Sequence, residues 1–203
     1  MSLVLIIAII TIGVSLQANQ NIVLKEKLLL YPYRIHHDKE YYRIFSHMFV
    51  HGDLMHLAFN MISLYSLGTM FELQLKDFLG ESNGAIHFFI LYFLGGILAS
   101  VYSVFKNQNN PSYRSLGASG AVSAVIFASI IWNPSMQLGL MFIPIPIPAF
   151  LFGPIYLAIE YYAMRRGGTG IAHDAHLGGA LFGIIYVLLL DFEKGRQFID
   201  LIF

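Results

Sequence analysis

Apolar residues dominate long stretches of this chain, and polar residues fall in short groups between them. A helix needs roughly 20 apolar residues to cross the hydrocarbon of a bilayer. Six candidates lie at about 2–18, 53–73, 85–105, 117–132, 147–164 and 173–191. The first, LVLIIAIITIGVSL, has the length of a signal-peptide core but lacks its basic n-region, so it reads as a retained helix. The pattern predicts an all-α, polytopic membrane protein: one membrane-embedded domain over residues 1–203, with six transmembrane helices.

The polar groups between the runs divide into loops of different character. Residues 19–52 are the longest polar segment, and YPYRIHHDKEYYRIFSHMF within it is dense in tyrosine and histidine. Such side chains sit at the headgroup level, which predicts a long loop lying in the interface. Residues 106–116 read as a polar turn. In residues 165–172, RRGGTGIA, the glycines suit either a movable cap or an ordinary short connection. The alternating prolines of MFIPIPIPAF cannot continue a helix and open the fifth span. The tail after Asp191, FEKGRQFIDLIF, has two readings, lying on the membrane surface or fraying.

Composition agrees with the pattern. The chain is 57% apolar and 12% charged, with a mean hydropathy of +0.65. A soluble domain would carry about twice that charged fraction. A formal net charge of zero gives no case for nucleic acid as a partner. The absence of cysteine removes disulfides, thiolate metal sites and a cysteine nucleophile together.

Candidate chemistry gathers at the fourth span. From Ser119 to the Trp132-Asn133-Pro134 stop there is roughly 21 Å of helix, against a hydrocarbon thickness of about 30 Å. Ser119 therefore heads a short helix below the membrane surface, with residues 110–118 descending to it as irregular backbone. Such backbone is tolerated at that depth only in protein or beside a wet cavity. Unpaired amides at a helix N-terminus suit a developing oxyanion. Taken alone, Ser119 reads more readily as an N-cap or a small packing residue.

Histidines inside spans change that weighting, because buried ionisable groups are costly. His56 and Asn60 are four apart and share a helix face. His176 opens the sixth span, and Gly179 and Gly183 follow on its face as a stripe for close helix approach. Gly120, Ala121, Ala124 and Ala128 offer the fourth span as the partner surface. His47 and His51 either line a water path or satisfy loop carbonyls, while His36, His37 and His87 read as interfacial or loop residues. No HExxH is present, and a zinc site would need Asp53 or Asp174 as a further ligand, so neither metal nor cofactor is expected. Asp174, two residues from His176, points elsewhere on a helix.

Together these residues resemble the rhomboid family of intramembrane serine proteases over Arg43 to Gly183. GASG is similar to the family's GxSG motif, which starts at Gly117 and implies Ser119 as nucleophile. AHLGGALFG resembles its AHxxGxxxG motif and implies His176 as general base and acid. HGDLMHLAFN is similar to the second-helix pattern and implies oxyanion roles for His56 and Asn60 beside the Ser119 amide. YRIFSH resembles a Trp-Arg motif, with Tyr42 for the tryptophan and Arg43 on the arginine. Glu72 falls on a structural glutamate. Each motif is weak alone, and the ordered set is strong.

The resemblance implies hydrolysis of peptide bonds in or next to transmembrane segments of substrate membrane proteins, by a Ser-His dyad without cofactor. Two features depart from it. Many bacterial members carry a tyrosine against the catalytic histidine where this chain has Ser123. Nine of the twelve basic residues also lie in 19–52, 106–116 and 165–172, a face the positive-inside rule makes cytoplasmic. The resemblance implies the reverse, with both termini cytoplasmic in a bacterial-type cell membrane. Basic side chains of an interfacial loop need not behave as those of a free loop. Two rival functions are a non-catalytic relative binding transmembrane helices and a His-lined transporter.

Overall fold

The computed structural model describes residues 2–140 and 143–202. Apolar runs become helices because a backbone in lipid must satisfy its own hydrogen bonds. The first run is α1 (Leu3–Gln20). The polar segment after α1 folds into three short α-helices, α2 (Ile22–Leu28), α3 (Pro32–His37) and α4 (Arg43–Ser46). A continuous rod, Leu54–Leu79, follows. It comprises α5 (Leu54–Ser63), a π-turn over Leu64–Gly68 and α6 (Thr69–Leu79). Then come α7 (Glu81–Asn107), α8 (Ser119–Trp132), α9 (Ala149–Arg166), α10 (His173–Leu190) and α11 (Phe192–Ile202).

Among the described residues, four rods are long and apolar enough to cross a membrane: α1, Leu54–Leu79, α7 and α10. As expected, α8 is too short to do so at 14 residues. The fifth expected span, α9, has 18 residues but carries Glu160, Arg165 and Arg166. Outward faces are apolar, as at Ile9, Phe105 and Leu189, and suit lipid contact. The chain is thus a polytopic helical membrane protein.

At the centre of the bundle is α8. Nearly all of its residues are buried, and it packs against α7 and α10. Trp132 at its far end meets Phe71 and Phe78 edge-on, with centroids 5.7 and 5.2 Å away. The proline-rich stretch adds a small departure from the all-helical expectation. Strands β1 (Gln137–Leu140) and β2 (Ile143–Pro148) pair antiparallel, and α9 begins at Ala149 rather than 147. Alternate prolines forbid a helix there but tolerate an extended hairpin. Met141 and Phe142, the first two residues of that stretch, lie outside the described residues.

Two polar devices fix the frame around α8. Glu72 accepts the Ser2 hydroxyl at 2.6 Å and the Leu3 and Val4 amides at 3.0 and 3.2 Å. It thereby serves the unpaired donors at the start of α1, and Lys76 balances its charge at 3.0 Å. Arg43, 2% exposed, donates to the Glu26 and Leu29 carbonyls and pairs with Glu40 at 2.5 Å. That guanidinium holds the Glu40 carboxyl below its ordinary range. Leu30 and Ser115 exchange backbone hydrogen bonds at 2.9 and 3.1 Å, tying this loop to the segment that leads into α8.

Candidate active site

The first intrahelical amide of α8 is that of Val122, bonded to the Ala118 carbonyl at 2.9 Å. The amides of Ser119, Gly120 and Ala121 precede it, which leaves donors at the helix head. Ser119 is the first helical residue, and Ala118 before it makes no side-chain cap. Among the described residues the Ser119 hydroxyl has no hydrogen-bond partner, so it is not spent as a cap.

The approach to Ser119 is held by three histidines and a glycine. Gly117, at φ +120°, donates its amide to the His47 carbonyl at 3.0 Å. A Cβ there would lie 2.8 Å from His56 Cε1, 2.9 Å from His56 Nε2 and 3.8 Å from Ser119 Oγ. The His56 ring and the Ser119 hydroxyl therefore border one small space, kept open because residue 117 has no side chain. His51 is fully buried and accepts the Ala118 amide on Nε2 at 3.3 Å. Its Nδ1 must then carry the proton, which it gives to Ser15 Oγ of α1 at 3.3 Å. His51 thus bonds a loop amide and a hydroxyl rather than loop carbonyls. His47 is also buried, and its ring nitrogens have no well-formed hydrogen bond among the described residues.

Asp53 caps α5 by accepting the His56 amide at 2.8 Å, which sets the start of the helix carrying His56 and Asn60. Asn60 is buried and gives one amide proton to the His56 carbonyl at 2.9 Å. An amide group has two protons, so one remains for another acceptor.

On the opposite side α10 presses directly on α8. A Cβ on Gly179 would collide with the Gly120 carbonyl oxygen, and one on Gly183 with that of Ala124. The predicted glycine stripe is therefore a backbone-to-backbone contact, with Ser119 and His176 on the two helices just before it. No hydrogen bond joins Ser119 to His176. Such contacts are often long before substrate binds.

His176 instead meets a residue that sequence reasoning passed over. Glu160 of α9 places Oε1 3.1 Å from His176 Nδ1 and Oε2 2.6 Å from His173 Nδ1. His173 Nε2 lies 2.8 Å from Thr169 Oγ1. The donor atoms of Glu160, His173 and His176 lie within 4.8 Å of one another, and hydrogen bonding and charge account for that spacing. The signal was present: Glu160 is an acidic residue inside an apolar span. Asp174 indeed turns away, accepting the Ser103 hydroxyl at 2.5 Å. His87 differs from its expected interfacial or loop position, lying on α7 with Nδ1 2.8 Å from Tyr186 Oη of α10. A polar residue one turn into a span can be drawn inward when a neighbouring helix offers a partner.

Residues 38–191 match the family model described as "Rhomboid domain". Among curated proteins, the chain is similar to RHOMBOID-like protein 12, mitochondrial, of Arabidopsis thaliana, at 32% identity over 73% of this chain and 45% of the relative. The human Presenilin-associated rhomboid-like protein, mitochondrial, is 34% identical over 68% of this chain and 35% of its own length. Rhomboid protein 1, mitochondrial, of Saccharomyces cerevisiae is 34% identical over 73% of this chain and 42% of its own. The matched region thus spans less than half the length of each of these relatives. Their names carry a mitochondrial location, in contrast to the bacterial-type membrane expected for this chain.

Proposed function

We propose that this chain, which belongs to the rhomboid family, is an intramembrane serine endopeptidase acting through Ser119 and His176. The observation that carries the reading is the uncommitted Ser119 hydroxyl at the head of the short, buried α8, facing the His56 ring across Gly117. Ser119 attacks a substrate carbonyl while His176 takes its proton. The oxyanion meets the Ser119 amide, His56 and the second Asn60 proton, and His176 then protonates the leaving amine. Water hydrolyses the acyl-enzyme by the same route.

The substrate class follows from the chemistry. A helical backbone hides its carbonyls, so cleavage favours transmembrane segments with small or helix-breaking residues near one membrane face. The partners are such segments and the lipid bilayer around them. We propose that the site lies in a single membrane-embedded domain.

The test is labelling by a fluorophosphonate probe together with cleavage of a single-span reporter. Labelling that disappears in Ser119→Ala, with cleavage lost in both Ser119→Ala and His176→Ala, is the expected result. Undiminished cleavage in either variant would overturn the mechanism. Absence of labelling in folded wild-type protein would favour a helix-binding, non-catalytic relative.

A further inference from the structure

We propose that Glu160 is a positioning residue for His176, so that the site works as a Ser119–His176–Glu160 relay with His173 holding the carboxylate in place. This rests on the serine endopeptidase reading above. An ionised carboxylate only accepts hydrogen bonds. Both imidazoles turn Nδ1 toward it, at 3.1 Å from His176 and 2.6 Å from His173. A lone pair on either Nδ1 would face oxygen lone pairs, so both nitrogens carry their protons. His173 Nε2 is then an acceptor, matched by the Thr169 hydroxyl at 2.8 Å. His176 Nε2 is likewise left unprotonated, which is the tautomer a general base requires.

The Nδ1–H of His176 is not aligned on Oε1, although the two heavy atoms are close. The hydrogen bond would form on substrate binding, as catalytic contacts tighten in other enzymes. During attack the Ser119 Oγ–C bond forms and the Oγ proton passes to His176 Nε2. The Nδ1 proton stays on the ring, now an imidazolium beside a carboxylate. As the C–N bond breaks, the Nε2 proton goes to the leaving amine. Glu160 neither gains nor loses a proton at any step.

Glu160 is itself held on both sides. Its Oε2 is bound by His173, and Tyr156 of α9 brings its hydroxyl close. The groups facing His176 are Glu160 from α9, His173 on its own helix and His56 from α5, across from Ser119 on α8. The carboxylate is the one negative charge among them and favours the imidazolium.

Glu160→Gln tests the idea in the full chain. Glutamine keeps the size but offers one oxygen to two Nδ1–H donors and turns an NH2 toward the other. We expect fluorophosphonate labelling of Ser119 and reporter turnover to slow by about tenfold or more. Glu160→Asp keeps the carboxylate and should recover part of the loss. His173→Ala should cost less than Glu160→Gln. A folded Glu160→Gln with wild-type labelling rate and reporter turnover would overturn the proposal. So would a folded Glu160→Asp as impaired as the glutamine variant. Both leave the endopeptidase reading intact; only failure of wild-type Ser119 to label strikes that.

Discussion

Gly179 of α10 lies so close to Gly120 of α8 that any side chain at 179 would enter the Gly120 carbonyl. The obstacle is backbone, which cannot swing aside as a flexible side chain can. One methyl group at Gly179 must therefore push the helix of His176 away from that of Ser119. We expect Gly179→Ala to cost about 1–3 kcal/mol of stability. Activity should fall further than stability, since misplacement by about 1 Å can cost 100-fold. Thermal melting in detergent and reporter cleavage measure the two effects. Gly13→Ala, where a Cβ would meet nothing within 4 Å, is the control and should leave both unchanged.

Glu72 acts at a distance from this chemistry. Its carboxylate gathers the Ser2 hydroxyl and two amides at the start of α1, and it pairs with Lys76. Removing it as Glu72→Ala leaves those donors unsatisfied and should cost about 1–3 kcal/mol. Melting should fall, while the labelling rate of the remaining folded protein should stay near wild type. A slowed labelling rate at unchanged melting temperature would reverse that assignment.

Glu160 marks the limit of what the chain discloses before it folds. Apolar run lengths are local, so the rods, the short α8 and Ser119 at its head could be read directly. The glycine stripe at 179 and 183 was legible because its spacing alone states which face must be bare. Glu160 was visible as an acid in an apolar span, yet its partner depended on which face of α9 meets α10. That is decided by packing among helices. The π-turn at Leu64–Gly68 was illegible for the same reason: it adds a residue to a turn without altering the apolar pattern.

The segment between α1 and α5 should respond to acid. The Arg43 guanidinium holds the Glu40 carboxyl below its ordinary value of 4.5. A lowered carboxyl contributes stability that is fully present above its unfolded value and is lost as pH falls through the folded one. Residues 22–46 should therefore be protected at neutral pH and open progressively below about pH 4.5. Hydrogen exchange across that segment at several pH values measures this. Glu40→Gln should flatten the acid dependence and raise exchange at neutral pH. An unchanged profile in the variant would assign the acid response to another group.

Ser123 stands where a tyrosine is common in the family, and α9 brings a tyrosine of its own to that position. Tyr156 brings its hydroxyl 3.3 Å from Ser123 Oγ, with its ring 5.5 Å from Phe127 and 5.8 Å from Phe152. Ser123 is buried, so a tyrosine there has no free space and must compete with Tyr156. We expect Ser123→Tyr to destabilise by about 1–3 kcal/mol through overpacking. Tyr156→Ala should destabilise by less than the about 3–5 kcal/mol of a fully buried aromatic truncation, because Tyr156 is partly buried. If the two rings share one space, the double variant Ser123→Tyr/Tyr156→Ala should melt higher than the sum of the single changes implies. Its Ser119 labelling should recover in parallel, because volume is conserved beside Glu160 and His176. Strict additivity in both readouts would mean that the rings occupy separate sites and that Tyr156 is not the substitute for the missing one.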